Sequence, residues 1–479
     1  MQIDIIRPNV ANFVKSLRDM GYTFEIAIAD ILDNSISAEA NEIHIYAEET
    51  PGITVSMLDN GKGMNEKELI EAMRLGSKNP DDERTKNDLG RFGLGLKTAS
   101  FSQCKKLTVI TKSDEGIYSR QWDLDYIEKS DEWNLITPSE EMLKEIPYYD
   151  DLENMVSGTL VIWQEIDSFS KDSFTEKIYS LREHLSLVFH RYLEGGFKRK
   201  KMVIYVNGKS LTAFNPFNES NLATQTLQVE KLKINNSIIT IQPYILPHHS
   251  KLSKNDYDKY ATSEGYTKSQ GFYLYREGRL LIHGTWWGLN KVSDVHRLVR
   301  IRIDATNEQD DFWNIDIKKS TASPNKFIKT ELKRIIKTVL EKGTRPYTGR
   351  GKKVSDITSN PLWEISLEQD KVRFIVNKEH PVLEEITKQI GEDKTHLLQS
   401  YLKALEAYLP LTAIQSHMIS EPHKIKQDEI FNEEEISELA SKLRALNLSE
   451  ERIAELLKTE IFKNRKELLI DDKTDGKQL

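Results

Sequence analysis

The sequence predicts an α+β protein with three parts: an α/β sandwich at the N-terminus, a smaller α+β unit behind it, and a mostly helical C-terminal region. Three observations carry this. Helical and strand-like stretches arrive in blocks with little strict βαβ alternation, which favours an α+β sandwich over a doubly wound parallel sheet. Two helical patterns precede the first strand-like one. A basic, Gly-containing linker, RPYTGRGKK at 345–353, separates the strand-bearing part from a charged helical one. The expected boundaries are 1–215, 216–345 and 346–479.

Residues 8–20 and 23–40 read as helices, the second strongly so. NEIHIYAEE and ITVSMLD then alternate like strands. NEKELIEAMRLG reads as a helix with Asn65 available as its N-cap. Residues 76–93 are polar and Gly-rich and predict a long loop, after which GLKTASFSQC starts a helix. KLTVITKS, IYSRQWDL and GTLVIWQEI follow as strands. In the second unit, strands are expected at IITIQPYIL, GFYLYREGRLLI and RLVRIRIDA, and a helix at NKFIKTELKRIIKTVLEKG. The last part holds the mixed stretch LWEISLEQDKVRFIVN and then charged helical periodicity over 433–462, which reads as a solvated tail or a partner-docking helix pair.

Composition narrows the class. Lys and Arg number 67 against 75 Asp and Glu, a formal charge of −8, which argues against a generic nucleic-acid coat. Mean hydropathy is −0.54, and no stretch approaches the roughly 20 apolar residues of a membrane span. The single cysteine, Cys104, can build neither a disulfide framework nor a zinc site and suits a reducing compartment. The N-terminus lacks the apolar core of a signal peptide. The expectation is a cytoplasmic protein without membrane contact.

Four short stretches carry chemistry. AIADILDNSISAEA, residues 27–40, places Asp30 and Asn34 one helical turn apart in an apolar, small-residue run. LDNGKGM, 58–64, follows a strand and has Gly61 and Gly63 for a turn with little side-chain bulk. GRFGLGLKTAS, 90–100, puts Gly90, Gly93 and Gly95 where a loop becomes a helix, a site whose free backbone N–H groups suit polyphosphate. SGTLVIW places Thr159 at the start of a strand. Each alone is weak. GRFGLG matches neither the dinucleotide fingerprint nor a Walker loop, and alone reads equally well as a flexible surface loop. Asn-Gly alone is a hairpin turn.

In this order and spacing, the four stretches resemble the GHKL ATPases, the superfamily of gyrase, the heat-shock chaperone, histidine kinases and MutL. The resemblance covers residues 1–215, and AIADILDNSISA with RLGSK is most similar to the MORC-like branch. It implies a Bergerat-type sandwich, ATP and Mg²⁺. By position, Asn34 resembles the Mg²⁺-binding asparagine, and Asp59 the aspartate that accepts from the adenine amino group. Gly61, Gly63 and Met64 lie in the adenine turn, with Gly63 letting the base lie close to the backbone. Gly90, Phe92, Gly93, Leu94, Gly95 and Leu96 resemble the phosphate cradle, Lys97 a residue that reaches the phosphates, and Thr159 the threonine that seats adenine through a water. Residues 74–95 would be a lid ordered by nucleotide.

One departure stands out. The family has glutamate where this sequence has Asp30, four residues before Asn34. The carboxylate that orients and deprotonates the attacking water is retained but shortened, so full base, slow base and water positioner stay open. Asp33 points elsewhere on the helix and is expected to be structural.

DDFWNIDIKKSTASPNKF, 310–327, resembles the transducer loop that lends a lysine to the γ-phosphate, with Lys318 and Lys319 as candidates and Lys319 favoured. Strand alternation would send them to opposite faces. GFYLYREGRLLIHGTWWG also resembles that transducer, and Trp286 and Trp287 read as core or interface. KRKK at 198–201 and the linker at 345–353 are the candidate DNA contacts, which would be non-specific and salt-dependent. The resemblance implies an ATP-gated clamp that dimerises with nucleotide and acts on DNA or a partner protein, in a bacterial defence or DNA-transaction setting. The alternative is a non-hydrolysing ATP sensor or scaffold with a protein partner. A histidine kinase fits poorly, because no phosphoacceptor hairpin fits ahead of residue 30, and a gyrase-like cleavage domain is not identifiable.

Overall fold

A computed structural model describes residues 9–76, 94–195, 201–343 and 360–470, except 235–236, 263–264, 317, 369–370, 421–423, 428–429 and 464. The chain divides into two compact units: the described residues of Met1–Leu246, Tyr260–Val292 and Arg297–Val339, and those of Pro247–Lys259, Ser293–His296 and Leu340–Leu479.

In the first unit, helices α1 (Val10–Arg18) and α2 (Phe24–Ser37) precede strands β1 (Glu42–Glu48) and β2 (Thr54–Asp59). Helices α3 (Glu66–Met73) and α4 (Gly95–Phe101), then β3 (Cys104–Ser113), β4 (Gly116–Asp123), β5 (Gly158–Ile166), β6 (Val203–Val206) and β7 (Lys209–Ser210), complete the sandwich. The strands form one sheet in the order β4-β3-β5-β2-β1-β6-β7. Only the β1–β6 pair is parallel, so the block arrangement of the sequence does give an α+β sandwich. α2 starts where the Thr23 side chain accepts from Ile26 N–H, and α3 starts on an Asn65–Glu68 capping box.

α2 is buried almost all round. Ala27, Ile28, Ala29, Ile31, Leu32 and Ile36 join the main core with Phe24, Val55, Val109 and Trp163. Each fully buried Ile or Leu is worth about 1.5–3 kcal/mol, and the alanines let the helix lie close to the sheet. The opposite sheet face packs Leu58, Ile110, Leu160 and Ile162 against Leu143, Tyr149 and Leu152. The helical pattern expected over 95–104 ends at Phe101, because Cys104 already opens β3; its buried thiol is pushed up by burial and donates to the Ser100 carbonyl.

A second sheet in the same unit uses β8 (Gln225–Thr226), β9 (Glu230–Ile234), β10 (Ser237–Ile245), β11 (Gly271–Arg276), β12 (Arg279–Thr285) and β13 (Val299–Ala305). Its order is β12-β11-β13-β10-β8, with β9 also on β10. The helix Lys326–Gly343 buries Ile328, Leu332, Ile335 and Val339. The helices Phe174–Val188 and His190–Glu194 tie this sheet to the first. His190 Nε2 lies 2.8 Å from the Tyr275 hydroxyl, Tyr192 donates to the Glu277 carbonyl at 2.7 Å, and Arg191 pairs with Asp304. Trp286 is buried and donates to Gln270, and Trp287 stacks on Phe272, so both belong to the core of this sheet.

In the second unit, LWEISLEQDKVRFIVN forms a hairpin, Trp363–Glu368 on Lys371–Val376. The charged pattern over 433–462 is not a solvated tail. It breaks into Glu433–Arg444 and Glu450–Leu456, and Ile436, Ala440, Leu443 and Leu456 pack with Val382, Phe462 and Leu469. Val382 and Leu469 lie outside the periodic stretch, so its own pattern could not reveal them. Among the described residues, no helix is long and apolar enough to cross a membrane.

Gly63 has φ +68, and a Cβ there would sit 1.9 Å from the Lys112 carbonyl oxygen. Gly208 has φ +73 with nothing within 4 Å of such a Cβ. Gly63→Ala is therefore expected to lower the melting temperature well beyond Gly208→Ala, which bears only the backbone cost of about 1–3 kcal/mol. Equal shifts in thermal denaturation would contradict the close approach.

Candidate functional site

The site is built on α2. Ten residues after the buried Phe24, Asn34 is the one exposed residue of this helix. Its Nδ2 donates to the Asp30 carbonyl at 3.4 Å, leaving the amide oxygen free to face outward. Asp30, one turn earlier, is buried, as is Asp33. Burial raises the Asp30 pKa and Asp33 adds to this, while Lys319, Arg279 and the Tyr22 hydroxyl oppose it.

At the other end of the cleft, Asp59 closes β2 and pairs across the ladder with Thr159 on β5. Ser35 donates to Asp59 Oδ2 at 2.6 Å, and the Gly61 N–H donates to Oδ1 at 2.8 Å. Burial pushes the Asp59 pKa up against these hydrogen bonds. The Thr159 hydroxyl lies 3.2 Å from that of Thr111, which accepts from the Met64 N–H at 2.9 Å. With the Thr159 backbone as a third donor, the buried carboxylate retains one of its about four acceptor sites for a further one. This is an acceptor floor that a flat, amino-bearing ring can meet.

Three charged side chains, Asp33, Arg279 and Lys319, meet beside Asp30. Tyr22 donates to Asp30 Oδ2 at 3.1 Å. Arg279, the first residue of β12, donates through Nη2 to Asp30 Oδ1 at 3.4 Å and through Nε to Asp33 Oδ1 at 2.9 Å. Lys319 Nζ donates to Asp30 Oδ1 at 3.4 Å and to Asp33 Oδ2 at 2.6 Å. All four charged side chains are nearly closed to solvent. Two cations against two carboxylates make the cluster formally neutral, the condition under which ion pairs persist in a low-dielectric interior.

The lysine pair is not on a continuing strand. Asp316 folds its loop into a closed turn, accepting from Thr321 N–H and the Ser320 hydroxyl on its carboxylate and from Lys319 N–H on its carbonyl. Lys319 takes φ +54 there. The turn, rather than strand alternation, separates the two side chains: Lys318 reaches the Gly21 carbonyl at 3.4 Å. Asp33, expected to be structural, bonds both cations of the cluster.

Other expected residues fall as follows. Gly95 opens α4 with a Cβ position 3.9 Å from Asp30 Oδ2, which brings the start of that helix to the carboxylate. Leu94 and Leu96 are half-buried beside it. Lys97 is buried and donates to the Ala72 carbonyl at 2.8 Å, turned toward α3 instead of the cleft. The space over Gly63 is filled by the Lys112 carbonyl, so the fold's own backbone makes the close approach there. Gly90, Phe92, Gly93 and most of the expected lid lie outside the described residues, as do 198–200 and the linker at 345–353. Among the described residues no group of three or more His, Cys, Asp or Glu is disposed to hold a metal. Tyr22, Ser35 and Arg279 were missed by sequence reasoning. The only trace of Arg279 is a lone cation opening an apolar strand after Glu-Gly.

Arg279 and Lys319 also line a cavity of about 190 Å³ with Ile26, His184, Val188 and His283. None of Asn34, Asp59 or Gly95 borders it. Burial lowers the His184 pKa to about 4, helped by Arg279 and His283 and opposed by Glu25.

Residues 22–159 match the family described as histidine kinase-, DNA gyrase B-, and HSP90-like ATPase. The chain is 34% identical over 92 residues to "ATPase MORC2B" of Mus musculus, which is 18% of this chain and 9% of the mouse protein. It is 30% identical over 104 residues to "ATPase morc-1" of Caenorhabditis elegans, 22% of this chain and 12% of that protein. It is 30% identical over 93 residues to "ATPase MORC2" of Homo sapiens, 19% of this chain and 9% of the human protein. The aligned stretch thus spans about a tenth of the length of these relatives.

Because His184 is held neutral in the fold, its contribution to stability is complete above the unfolded value of about 6.5. It is lost as pH falls toward 4, with a slope of at most about 1.4 kcal/mol per pH unit. Melting curves between pH 7.5 and 5 should therefore fall more steeply for the wild type than for His184→Gln. Parallel curves would exclude a buried neutral imidazole.

Proposed function

We propose that this chain, whose residues 22–159 form a GHKL-type ATPase domain similar to that of MORC ATPases, binds ATP with Mg²⁺ and hydrolyses it as a nucleotide-gated clamp. The domains are taken as ATP-binding 1–215, transducer-like 216–345 and C-terminal 346–479. The observation that supports this best is the bond from Lys319, in the loop after the second sheet, to Asp30 on α2. A lysine brought there from so far along the chain is placed to neutralise charge on a transferred phosphoryl group.

The residue roles follow. Asp59, with Thr159 across the ladder, accepts from the adenine amino group. Asn34 would hold Mg²⁺: its exposed amide oxygen suits a hard cation that keeps several waters and takes its other ligands from phosphates. That ion supplies charge neutralisation along the triphosphate. Asp30 orients the attacking water. Its carboxylate offers about four acceptor sites and three donors already approach it, which leaves one for water. Tyr22 and Arg279 hold it still, so the shorter side chain need not reach further. Nucleotide-driven dimerisation, action on DNA or a partner protein, a defence or DNA-transaction role and a cytoplasmic setting belong to the same reading by likeness alone. One observation favours a second reading, a non-hydrolysing sensor: Asp30 is already held by those three donors, as a carboxylate that only stabilises a bound state would be.

Titration calorimetry and phosphate release separate the two. Asp30→Asn should retain ATP affinity and lose turnover by about 10²–10⁴-fold, the usual worth of a general base. Asn34→Ala should instead weaken binding of the magnesium nucleotide. Wild-type turnover in Asp30→Asn would remove Asp30 from the chemistry and leave the sensor.

The clamp itself is read by light scattering. A non-hydrolysable ATP analogue with Mg²⁺ should double the mass, and ADP should not. A mass unchanged by either nucleotide would contradict nucleotide-driven dimerisation.

A further inference from the structure

The hairpin that carries Arg279 is a rigid device. β11 and β12 join through Glu277 and Gly278, both at positive φ (+50 and +90), so Arg276 and Arg279 face each other across a two-residue turn. Arg276 is pinned by Asp310 through two bonds of 2.7 and 2.8 Å. The turn is anchored by Tyr192 on the Glu277 carbonyl. The Arg279 guanidinium lies 5.8 Å from the Phe189 ring centre and is buried. The tip of the second sheet is thereby pressed onto α2.

Distances within the cluster divide the labour. Asp33 takes the short bonds, 2.9 Å from Arg279 and 2.6 Å from Lys319. Asp30 takes only the long ones, 3.4 Å from each. Arg279 meets the two carboxylates through two nitrogens of a rigid fork, Nε on Asp33 and Nη2 on Asp30, whereas Lys319 meets both through a single Nζ. Lys319 has three N–H donors, and the two carboxylates use two.

We propose that Asp33 and Arg279 form a positioning pair that docks the transducer-like hairpin on α2, keeps both cations from collapsing onto Asp30, and leaves one Lys319 donor aimed at the terminal phosphate of ATP. This rests on the ATPase reading above. Without Asp33, Arg279 and Lys319 share one carboxylate, Asp30, and its acceptor sites are consumed. Without Arg279, Asp33 draws Lys319 alone, and the hairpin loses its grip on the helix. In either case the nucleotide still meets Asp59 and Asn34, but the γ-phosphate is read badly. The cavity beside Arg279 and Lys319 gives the displaced side chains room to move.

The test uses the full chain with Asp33→Asn, Arg279→Lys, Arg279→Gln and the double variant Asp33→Asn/Arg279→Gln. Three quantities are measured: kcat and KM for ATP, the affinity ratio of a non-hydrolysable ATP analogue over ADP, and the melting temperature. Each single variant should retain ADP affinity and lose kcat by about 10²-fold, the scale of a 1 Å misplacement. Each should also bring the analogue-to-ADP ratio toward one. Arg279→Lys keeps the charge and should not rescue. The double variant removes both partners of a buried pair and should regain melting temperature without regaining kcat or the ratio. Wild-type kcat and ratio in the double variant, or full rescue by lysine, would overturn the proposal. If the wild type binds ATP but never turns it over, the ATPase reading fails. The affinity ratio in the same variants then still decides on the positioning pair.

Discussion

Two carboxylates on the buried face of one helix are the constraint around which the first unit is arranged. Asp30 and Asp33 sit on α2 among alanines, isoleucines and leucines that belong in a core. An unpaired ion in such a setting costs several kcal/mol. Nothing on α2 itself can neutralise them. The cations come from β12 and from the loop before the helix Lys326–Gly343. The second sheet therefore has to lie where Arg279 and Lys319 reach α2, and the N-terminal sandwich and the second sheet form one compact unit.

The same helix serves three purposes because its faces differ. Its small and branched residues meet the sheet, its carboxylates meet the cations, and Asn34 alone faces outward. Ser35, next to Asn34, reaches the opposite end of the cleft and fixes Asp59. One rigid element thus relates the position of Asp59 to that of Asp30 and Asn34. A shift of α2 would move both together.

How much of this was legible depends on whether partners are near in sequence. The α+β arrangement could be read because local periodicity and turn chemistry encode it, as they do the helix that holds Asn34 and the strand that ends on Asp59. Strand alternation predicted that Lys318 and Lys319 point apart, and the Asp316 turn is what separates them. Arg279 could not be read: its partners are 246 and 249 residues away, and an arginine after a Glu-Gly turn looks like any exposed hairpin residue. The bond from the Lys97 ammonium to the Ala72 carbonyl at the end of α3 could not be read either, because the two residues lie 25 apart. The C-terminal helices misled. Their charges are real, but Val382 and Leu469 supply apolar partners from outside the periodic stretch.

The distance along the chain between the two halves of the ion cluster also sets an order of events during synthesis. Lys319 follows Asp30 by 289 residues. At a translation rate of about 5–20 residues per second, α2 leaves the ribosome roughly 15–60 s before the lysine that completes its surroundings. During that interval the two aspartates face water or take up protons, and the helix cannot settle fully into its core. Asn34 and Asp59 are encoded early, and Lys319 arrives late. A nascent chain therefore has no finished ion cluster until its second sheet has emerged and folded back, and the cluster ties completion of the surroundings of α2 to completion of the unit.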